Sequence, residues 1–244
     1  MNITVWNEGL HEKIDERVAK VYPKGIHGCI KDFLEAAGFE NVRTATLEEP
    51  EHGLTEEVLN NTDVLFYWGH IAHNKVDDEI VNRIFERVMD GMGLIMLHSA
   101  HESKLFKKLM GTKSGELRWR ENDEMEIMWN VYPAHPIMQG IGANVVIPHE
   151  ETYGEYFNIA PPEELLMISW FEGGEVFRSA CCYMRGRGKI FYFKPGHETY
   201  PIYHMPEVQK ILVNAANWAC PTNPTPVEHG HFPVPFKETL EGRK

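Results

Sequence analysis

One stretch in the middle of the chain decides the fold: Gly91-Met92-Gly93-Leu94-Ile95-Met96-Leu97-His98-Ser99-Ala100-His101. A glycine turn precedes the apolar run 94–97, and a short apolar run bounded by turn residues is typical of a strand buried on both faces of a parallel sheet. Open α/β sheets bind ligands where such a strand turns into the next helix. We therefore expect His98 and Ser99 at an active-site corner. The alternative is a buried histidine that caps the following helix.

Length and composition predict one large α/β domain over residues 1–220 and a Pro-rich tail over 221–244. The net charge of −12, without a Lys/Arg cluster, argues against nucleic acid or an anionic membrane as the main partner. No apolar run approaches the roughly 20 residues of a membrane helix, and no signal peptide is evident. We therefore expect a cytoplasmic protein. The four cysteines have neither metal-ligand nor disulfide spacing.

Strand and helix patterns alternate through the first half of the chain. Strands are predicted at 3–6, 41–47, 63–68 and 94–97, with helices at 26–37 and 76–88 and a long charged loop before Lys24 that covers the site. This order predicts a flavodoxin-like, doubly wound and mostly parallel sheet. In the second half, strands are predicted at 124–132, 144–147 and 165–170, an antiparallel hairpin at 175–184 and 189–194, and a final helix along 208–218.

Three predicted strands end in a histidine, namely His70, His98 and His197. Because the carboxyl ends of parallel strands meet at one edge, His70 and His98 should converge on one pocket. Imidazoles near carboxylates suit proton transfer near neutral pH or divalent-metal binding. A divalent metal ion, with zinc favoured by imidazole-rich ligation, is the expected cofactor, held by His70, His98 and a carboxylate from Glu150 or Glu151. No nucleotide cofactor is expected, and a structural role is the alternative for each single histidine.

Two segments resemble the class I glutamine amidotransferases. The segment 189–198, Lys-Ile-Phe-Tyr-Phe-Lys-Pro-Gly-His-Glu, resembles their final strand and His-x-Glu-type motif. The segment 97–100, Leu-His-Ser-Ala, resembles the elbow where those enzymes keep a cysteine nucleophile, and 68–70 stands where their oxyanion glycines lie. Here His98 replaces the cysteine. Because the glutamyl thioester requires a thiolate, we expect no glutaminase activity.

The closer resemblance is to the trehalose-utilisation (ThuA-like) family, which is built on that amidotransferase scaffold. It extends from Trp6 to Trp218 and rests on the order and spacing of short motifs. These are Trp68-Gly69-His70 with His73, Leu97-His98-Ser99 with His101, Ala134-His135-Pro136-Ile137, Glu151-Thr152-Tyr153-Gly154-Glu155, Gly174-Glu175-Val176-Phe177-Arg178-Ser179 and Pro195-Gly196-His197-Glu198. The resemblance implies a class I glutamine amidotransferase-like fold and a role in the catabolism of trehalose or a related disaccharide.

Strand-end positions and family motifs together define the expected site. The expected catalytic residues are His98, Ser99, His197 and Glu198. The expected substrate-binding residues are Trp68, Gly69, His70, His101, Glu151, Tyr153, Glu155 and Arg178. Flat faces for a sugar are expected at Trp68, Trp119, Trp129 and Tyr153.

Two functions from different classes remain open at the level of the sequence. One is an enzyme that acts on a plain or oxidised disaccharide, and the other is a non-catalytic sugar-binding or regulatory protein that kept the scaffold. Because a binding protein has no need for so many titratable groups, the strand-end histidines favour the enzyme. The expected partner is a small carbohydrate, and the sequence leaves open whether the chain forms a homo-oligomer.

Overall fold

The computed structural model describes residues 1–222, Gly230 and residues 236–242. In its first half, strands and helices alternate as predicted. The elements in chain order are β1 (Asn2–Asn7), α1 (His11–Ile14), α2 (Glu16–Val21), α3 (Gly25–Ala36), β2 (Asn41–Thr46), α4 (Glu56–Asn60), β3 (Val64–Trp68), α5 (Asp78–Met89), β4 (Gly93–Leu97) and α6 (Lys104–Met110). The charged segment before Lys24 was expected as a loop. It contains the two short helices α1 and α2.

The second half consists mainly of strands. They are β5 (Arg118–Asn130), β6 (Asn144–Gly154), β7 (Glu164–Phe171), β8 (Val176–Arg185) and β9 (Gly188–Phe193), followed by α7 (Pro206–Ala219) and α8 (Phe236–Glu241). Two of these strands are longer than predicted. The strand β5 starts at residue 118 and not at 124, and β6 continues to residue 154 and not only to 147. Most of the Pro-rich tail predicted from residue 221 onward lies outside the described residues.

The nine strands found among the described residues form one sheet in the order β2-β1-β3-β4-β9-β8-β7-β5-β6. The first five strands in this order, β2, β1, β3, β4 and β9, run parallel to one another. The strands β8, β7, β5 and β6 continue the sheet as an antiparallel extension. The predicted mostly parallel α/β fold of the class I glutamine amidotransferase type is confirmed, and the hairpin β8–β9 joins the two parts of the sheet.

The strand β4 lies near the centre of the sheet and is buried throughout. Ile95 and Leu97 pack into the core layer that contains α3 and α7, whereas Leu94 and Met96 pack into the layer of α5 and α6. Coverage on both faces explains why this strand is a continuous apolar run instead of an alternating one.

The parallel strands β1, β3, β4 and β9 end at the same edge of the sheet. The segments that follow them contain Glu8, His70, His98 and His197, in the same order. The topology thus brings four polar strand-end segments together. Within the described residues, no helix has the length and apolar composition needed to cross a membrane.

Candidate active site

His98 directly follows β4 and begins a 3-10 turn that runs to Glu102. Its φ of +50° lies in the left-handed region, where a non-glycine residue is disfavoured by roughly 1–2 kcal/mol. Strained backbone of this kind concentrates at functional sites. The side chain is fully buried, and its Nδ1 donates a 2.9 Å hydrogen bond to the carbonyl oxygen of Lys194. The orientation of the ring is therefore fixed by the segment that follows β9.

Glu198 joins two histidines from different elements. Its Oε2 accepts a hydrogen bond from His70 Nδ1 at 3.0 Å, and its Oε1 lies 3.2 Å from His11 Nε2. The rings of His11 and His70 stack with their centroids 4.9 Å apart. Because Nδ1 of His70 faces Glu198, its Nε2 is the ring nitrogen available to a ligand.

Glu8 holds the loop that presents His70. This buried carboxylate follows β1 and accepts the backbone N–H groups of His70, Ile71 and Ala72 at 2.9, 2.9 and 3.0 Å. Hydrogen bonds to an ionised acceptor are stronger than neutral ones. The end of β1 therefore fixes the backbone after β3.

Glu151 and His197 lie on the other side of His98. The distance from Glu151 Oε2 to His98 Nε2 is 3.2 Å. One potential ligand atom from each of His98, Glu151 and His197 lies within 4.8 Å of the other two. The His70 ring is centred 5.9 Å from that of His98 and 5.6 Å from that of His197. All three strand-end histidines therefore meet.

The environments of these histidines separate their pKa values. Burial, reinforced by neighbouring positive charge, lowers the pKa of His98 to about 3 and that of His197 to about 4. Burial acts on His70 as well, but the hydrogen bond and charge of Glu198 outweigh it, so the pKa of His70 lies above its ordinary value. One imidazole of the set can thus take up a proton near neutral pH while the others stay neutral.

The carboxyl group of Glu198 is kept ionised by its neighbours. Burial acts to raise its pKa, but the hydrogen bond from His70 and the positive charge of that ring hold the pKa far below its usual range. An ionised carboxylate is what a histidine needs as a partner if it is to stay protonated.

These side chains surround one cavity of about 410 Å³, called here the histidine cavity. This volume is within the range of roughly 300–1,000 Å³ typical of small-molecule sites. The residues that line it include His11, Asp15, Arg17, His70, His73, Ser99, His101, Trp119, Glu121, Glu151, Tyr153, His197, Glu198 and Thr199. The first three of these residues lie in α1, in α2 and at Asp15 between them, so the charged segment before Lys24 does cover part of the site.

The family model of ThuA, described as trehalose utilisation, matches residues 2–219. The chain belongs to the ThuA family. A search of curated proteins gives no match.

Solved structures with the same fold include further ThuA-like proteins. A ThuA-like protein from Parabacteroides merdae ATCC 43184 has a TM-score of 0.67 and 16% identity, over 93% of both chains. A second, from Bacteroides uniformis ATCC 8492, has a TM-score of 0.62 and 14% identity, over 90% of this chain and 91% of that one. A cytoplasmic protein from Salmonella typhimurium has a TM-score of 0.58 and 15% identity, over 80% and 87%. At these identities the likeness is one of fold.

Most of the residues predicted for the site come together in this ThuA-family structure. Those that line the histidine cavity are Ser99, His197, Glu198, His70, His101, Glu151 and Tyr153. His98 lies just behind the wall, in contact with Glu151, and the hydroxyls of Ser99 and Tyr153 are 3.0 Å apart. None of the residues that line the cavity is a cysteine.

The structure corrects the prediction that Trp68 and Gly69 bind substrate. The Trp68 side chain is fully buried in the core, and its Nε1 donates to the carbonyl oxygen of Gly196. Gly69 is buried and does not line the histidine cavity. Of the four aromatic faces expected for a sugar, Trp129 is also absent from the cavity lining, and the ring of Tyr153 stacks on His98. Trp119 remains.

Glu155 and Arg178 were also expected to bind substrate, and the structure places them elsewhere. They pair with each other, with Arg178 Nε 2.8 Å from Glu155 Oε1 and Nη2 3.0 Å from Oε2. Neither residue lines the histidine cavity. Their side chains complete each other's hydrogen bonds and stabilise the antiparallel extension.

Glu150 was expected as a metal ligand and is a structural residue instead. The ligand atoms that converge with those of His98 and His197 include one from Glu151 and none from Glu150. Its carboxylate accepts the backbone N–H of Gly196 at 2.8 Å and that of Glu151 at 2.9 Å.

Two important residues, Glu8 and His11, were not predicted. Both lie in the polar segment after β1, which sequence reasoning treated only as a loop. The available signal was a charged residue directly after a strand that ends at the same sheet edge as His70 and His98. Glu8 directly follows β1 as His98 directly follows β4, and His70 comes two residues after the end of β3.

The Glu155–Arg178 pair gives a pH-dependent stability prediction. Burial acts to raise the pKa of Glu155, but the hydrogen bonds from Arg178 and the backbone hold it below its ordinary value of 4.5. The variant Glu155→Gln should therefore lower the free energy of unfolding at pH 7 by roughly 1–3 kcal/mol. Since the folded-state pKa is depressed, this contribution is present above pH 4.5 and is lost as the pH falls through the folded-state value.

Urea denaturation of both proteins between pH 7 and pH 3 measures this difference. Glu48→Gln is the control, because Glu48 pairs with Lys13 on the surface with 60% of its side chain exposed. A difference between wild type and Glu155→Gln that stays constant down to pH 3 would contradict the assigned pKa direction.

Proposed function

We propose that this protein is an enzyme that acts on trehalose or a related disaccharide, plain or oxidised, by acid–base chemistry in the histidine cavity. The observation that supports catalysis is the ionised Glu198 bridging His11 and His70, opposite the neutral His98 and His197. Groups with pKa values driven apart in one cavity are typical of acid–base sites. The family description supports the choice of a disaccharide.

His70 is the proton-transfer residue in this proposal. Its Nδ1 is held by Glu198, so Nε2 can give a proton to a sugar oxygen or take one from a sugar carbon or hydroxyl. Glu198 keeps the ring in one orientation and stabilises the imidazolium form, as a buried carboxylate does for a catalytic histidine. Such a group accelerates a reaction by roughly 10²–10⁴-fold.

Binding of the sugar is assigned to the wall and rim of the cavity. The hydroxyls of Ser99 and Tyr153 can donate to and accept from sugar hydroxyls. Trp119 is 67% exposed at the rim and offers a flat apolar face, which suits the apolar face of a pyranose ring. The proposal includes a cytoplasmic location, by analogy with the Salmonella typhimurium structural neighbour described as cytoplasmic.

The test is a screen of the purified protein against trehalose, other disaccharides and their oxidised derivatives, with wild type and Glu198→Gln compared on each. We expect turnover by wild type and a kcat lower by about 10²-fold or more in the variant, with sugar binding retained in calorimetry. Glu57→Gln, an exposed change on α4, is the control and should keep full activity.

Two results would contradict the proposal in different ways. Sugar binding without turnover of any compound would favour the non-catalytic sugar-binding protein. Turnover at the wild-type rate in Glu198→Gln would show that the histidine cavity is not the catalytic site.

A further inference from the structure

The contact between His98 and Glu151 is unusual for a protein interior. His98 Nε2 and Glu151 Oε2 lie 3.2 Å apart, both atoms are buried, and neither has a hydrogen-bond partner among the described residues. The carbonyl oxygen of Lys194 can only accept, so Nδ1 of His98 must carry the ring proton. In the neutral ring, Nε2 then carries a lone pair that faces a carboxylate oxygen. Two acceptors in this position repel each other unless a cation lies between them.

A proton carried by Glu151 between the two atoms is one arrangement that would satisfy both of them. It gives no role to His197, one ring nitrogen of which lies within 4.8 Å of a potential ligand atom of each of the other two residues.

His197 supplies a third potential ligand atom close to those of His98 and Glu151. Its ring centroid is 5.4 Å from that of His98, and the two rings are almost perpendicular, at 85°. Nδ1 of His197 lies 2.8 Å from Thr199 Oγ1, which leaves Nε2 for the space between the rings. The nearest carboxylate oxygens to Nε2, on Glu198 and Glu121, are 3.9 and 4.0 Å away, too far for hydrogen bonds.

We propose that His98, Glu151 and His197 hold a divalent cation, with zinc as the metal, inside the cavity of the proposed function. This inference rests on that function only for the role of the metal, not for its binding. Two imidazoles and one carboxylate are a ligand set of catalytic zinc sites, which leave a fourth position open. The 3.2 Å between Nε2 and Oε2 matches the separation of about 3.3 Å expected for two ligands about 2.0 Å from a tetrahedral ion.

The surroundings of the three ligands fit a metal site as well. The Nδ1 of His98 donates to a backbone carbonyl, the kind of outer hydrogen bond that orients metal-ligating histidines. The Nδ1 of His197 contacts the hydroxyl of Thr199 at 2.8 Å and the backbone N–H of that residue at 3.4 Å, so the Thr199 hydroxyl is the group that would accept from Nδ1 when Nε2 binds the ion. Glu151 and His197 line the histidine cavity, so an ion held by them would be accessible from that cavity. When bound, zinc would supply Lewis acidity for a sugar oxygen.

The experiment uses Zn²⁺ itself as the probe. Wild type is purified, its metal content is measured, and the protein is then treated with chelator and titrated with Zn²⁺ by calorimetry. We expect one ion per chain and a melting temperature that rises with Zn²⁺, because a ligand that binds only the folded state stabilises it. Glu151→Gln and His197→Gln should each weaken binding by at least the roughly 10–100-fold typical of losing an outer partner of a metal ligand.

His135→Gln is the matched control, because His135, Glu164 and Cys182 form another group with metal-ligand distances, away from the cavity. Melting temperatures without added metal show that each variant is folded. Wild type that binds no Zn²⁺ would favour the proton on Glu151, and loss of binding only in His135→Gln would move the site; either result overturns the inference.

Failure of the metal site and failure of the proposed function remain distinguishable. Sugar turnover by chelator-treated protein would retain the function and overturn the role of the metal. Zn²⁺ binding that depends on Glu151 and His197, without turnover of any sugar, would retain the metal site and leave the catalytic proposal without support.

Discussion

Replacing Lys194 with methionine should lower the free energy of unfolding by about 3–5 kcal/mol, the usual effect of removing one partner of a buried ion pair. Lys194 Nζ lies 3.0 Å from Glu126 Oε2, and both side chains are fully buried. The ammonium group also donates to the carbonyl oxygen of Glu151. Methionine replaces most of the unbranched side chain but leaves Glu126 as an uncompensated charge. Urea denaturation at pH 7 measures the loss.

The matched control is Lys24→Met, since Lys24 forms a 2.8 Å pair with Asp32 on the surface, where 68% of its side chain is exposed. That change should leave the melting temperature close to the wild-type value. The double variant Lys194→Met/Glu126→Leu should recover part of the stability lost in Lys194→Met, because no charge remains unpaired. If Lys194→Met were no less stable than Lys24→Met, the buried pair would not contribute to folding.

Lys194 also connects the stability of the sheet with the geometry of the site. Its carbonyl oxygen orients His98, and its ammonium group holds the backbone of Glu151. The two residues that face each other at 3.2 Å are thus both anchored by one lysine at the end of β9. We therefore expect changes at this lysine to alter the site together with the fold.

The parallel half of the fold was predictable because burial on two faces leaves a clear pattern. The continuous apolar run from Leu94 to Leu97 and the helical repeat of α5 follow directly from it. The antiparallel extension was less predictable. The first residues of β5 are mostly charged, and they are held by ion pairs across strands, such as Arg120 with Glu175 of the β7–β8 turn, which a local pattern does not reveal.

The site was predictable only as far as it follows from strand ends. His70, His98 and His197 follow parallel strands, so the topology alone brings them together. His11 depends on the path of α1, which no short-range pattern defines. Side chains alternate between the two faces of a strand, so only one of the adjacent Glu150 and Glu151 could be expected beside the histidines. The predicted strand ended at residue 147 and did not include either residue.

The elbow after β4 shows what this chain retains of an amidotransferase-like site. The strand ends in a residue with left-handed φ, as a side chain presented at a sharp strand-to-helix turn requires. That residue is a neutral histidine anchored by a backbone carbonyl, facing a carboxylate. This arrangement cannot act as a thiolate nucleophile, whereas it suits ligand or metal binding. In the proposed function, proton transfer is therefore assigned to the neighbouring His70.

Replacing His70 with glutamine should lower kcat by about 10²–10⁴-fold, the usual contribution of an acid–base group. Glutamine retains hydrogen-bonding capacity but cannot transfer a proton near neutral pH, so the affinity for the sugar should change little. The measurement is steady-state kinetics on the compound found in the screen, beside calorimetric binding and thermal unfolding. His149→Gln is the control, because His149 pairs with Asp123 with 60% of its side chain exposed.

The pairing of His70 with Glu198 at 3.0 Å predicts how the two changes combine. If the carboxylate acts through the imidazole, the double variant His70→Gln/Glu198→Gln should be little slower than His70→Gln alone, since residues that act as a unit are strongly non-additive. Losses that multiply in the double variant would mean that Glu198 acts on the sugar independently. A His70→Gln variant with near-wild-type kcat would instead exclude His70 as the proton-transfer residue, since glutamine cannot replace that step.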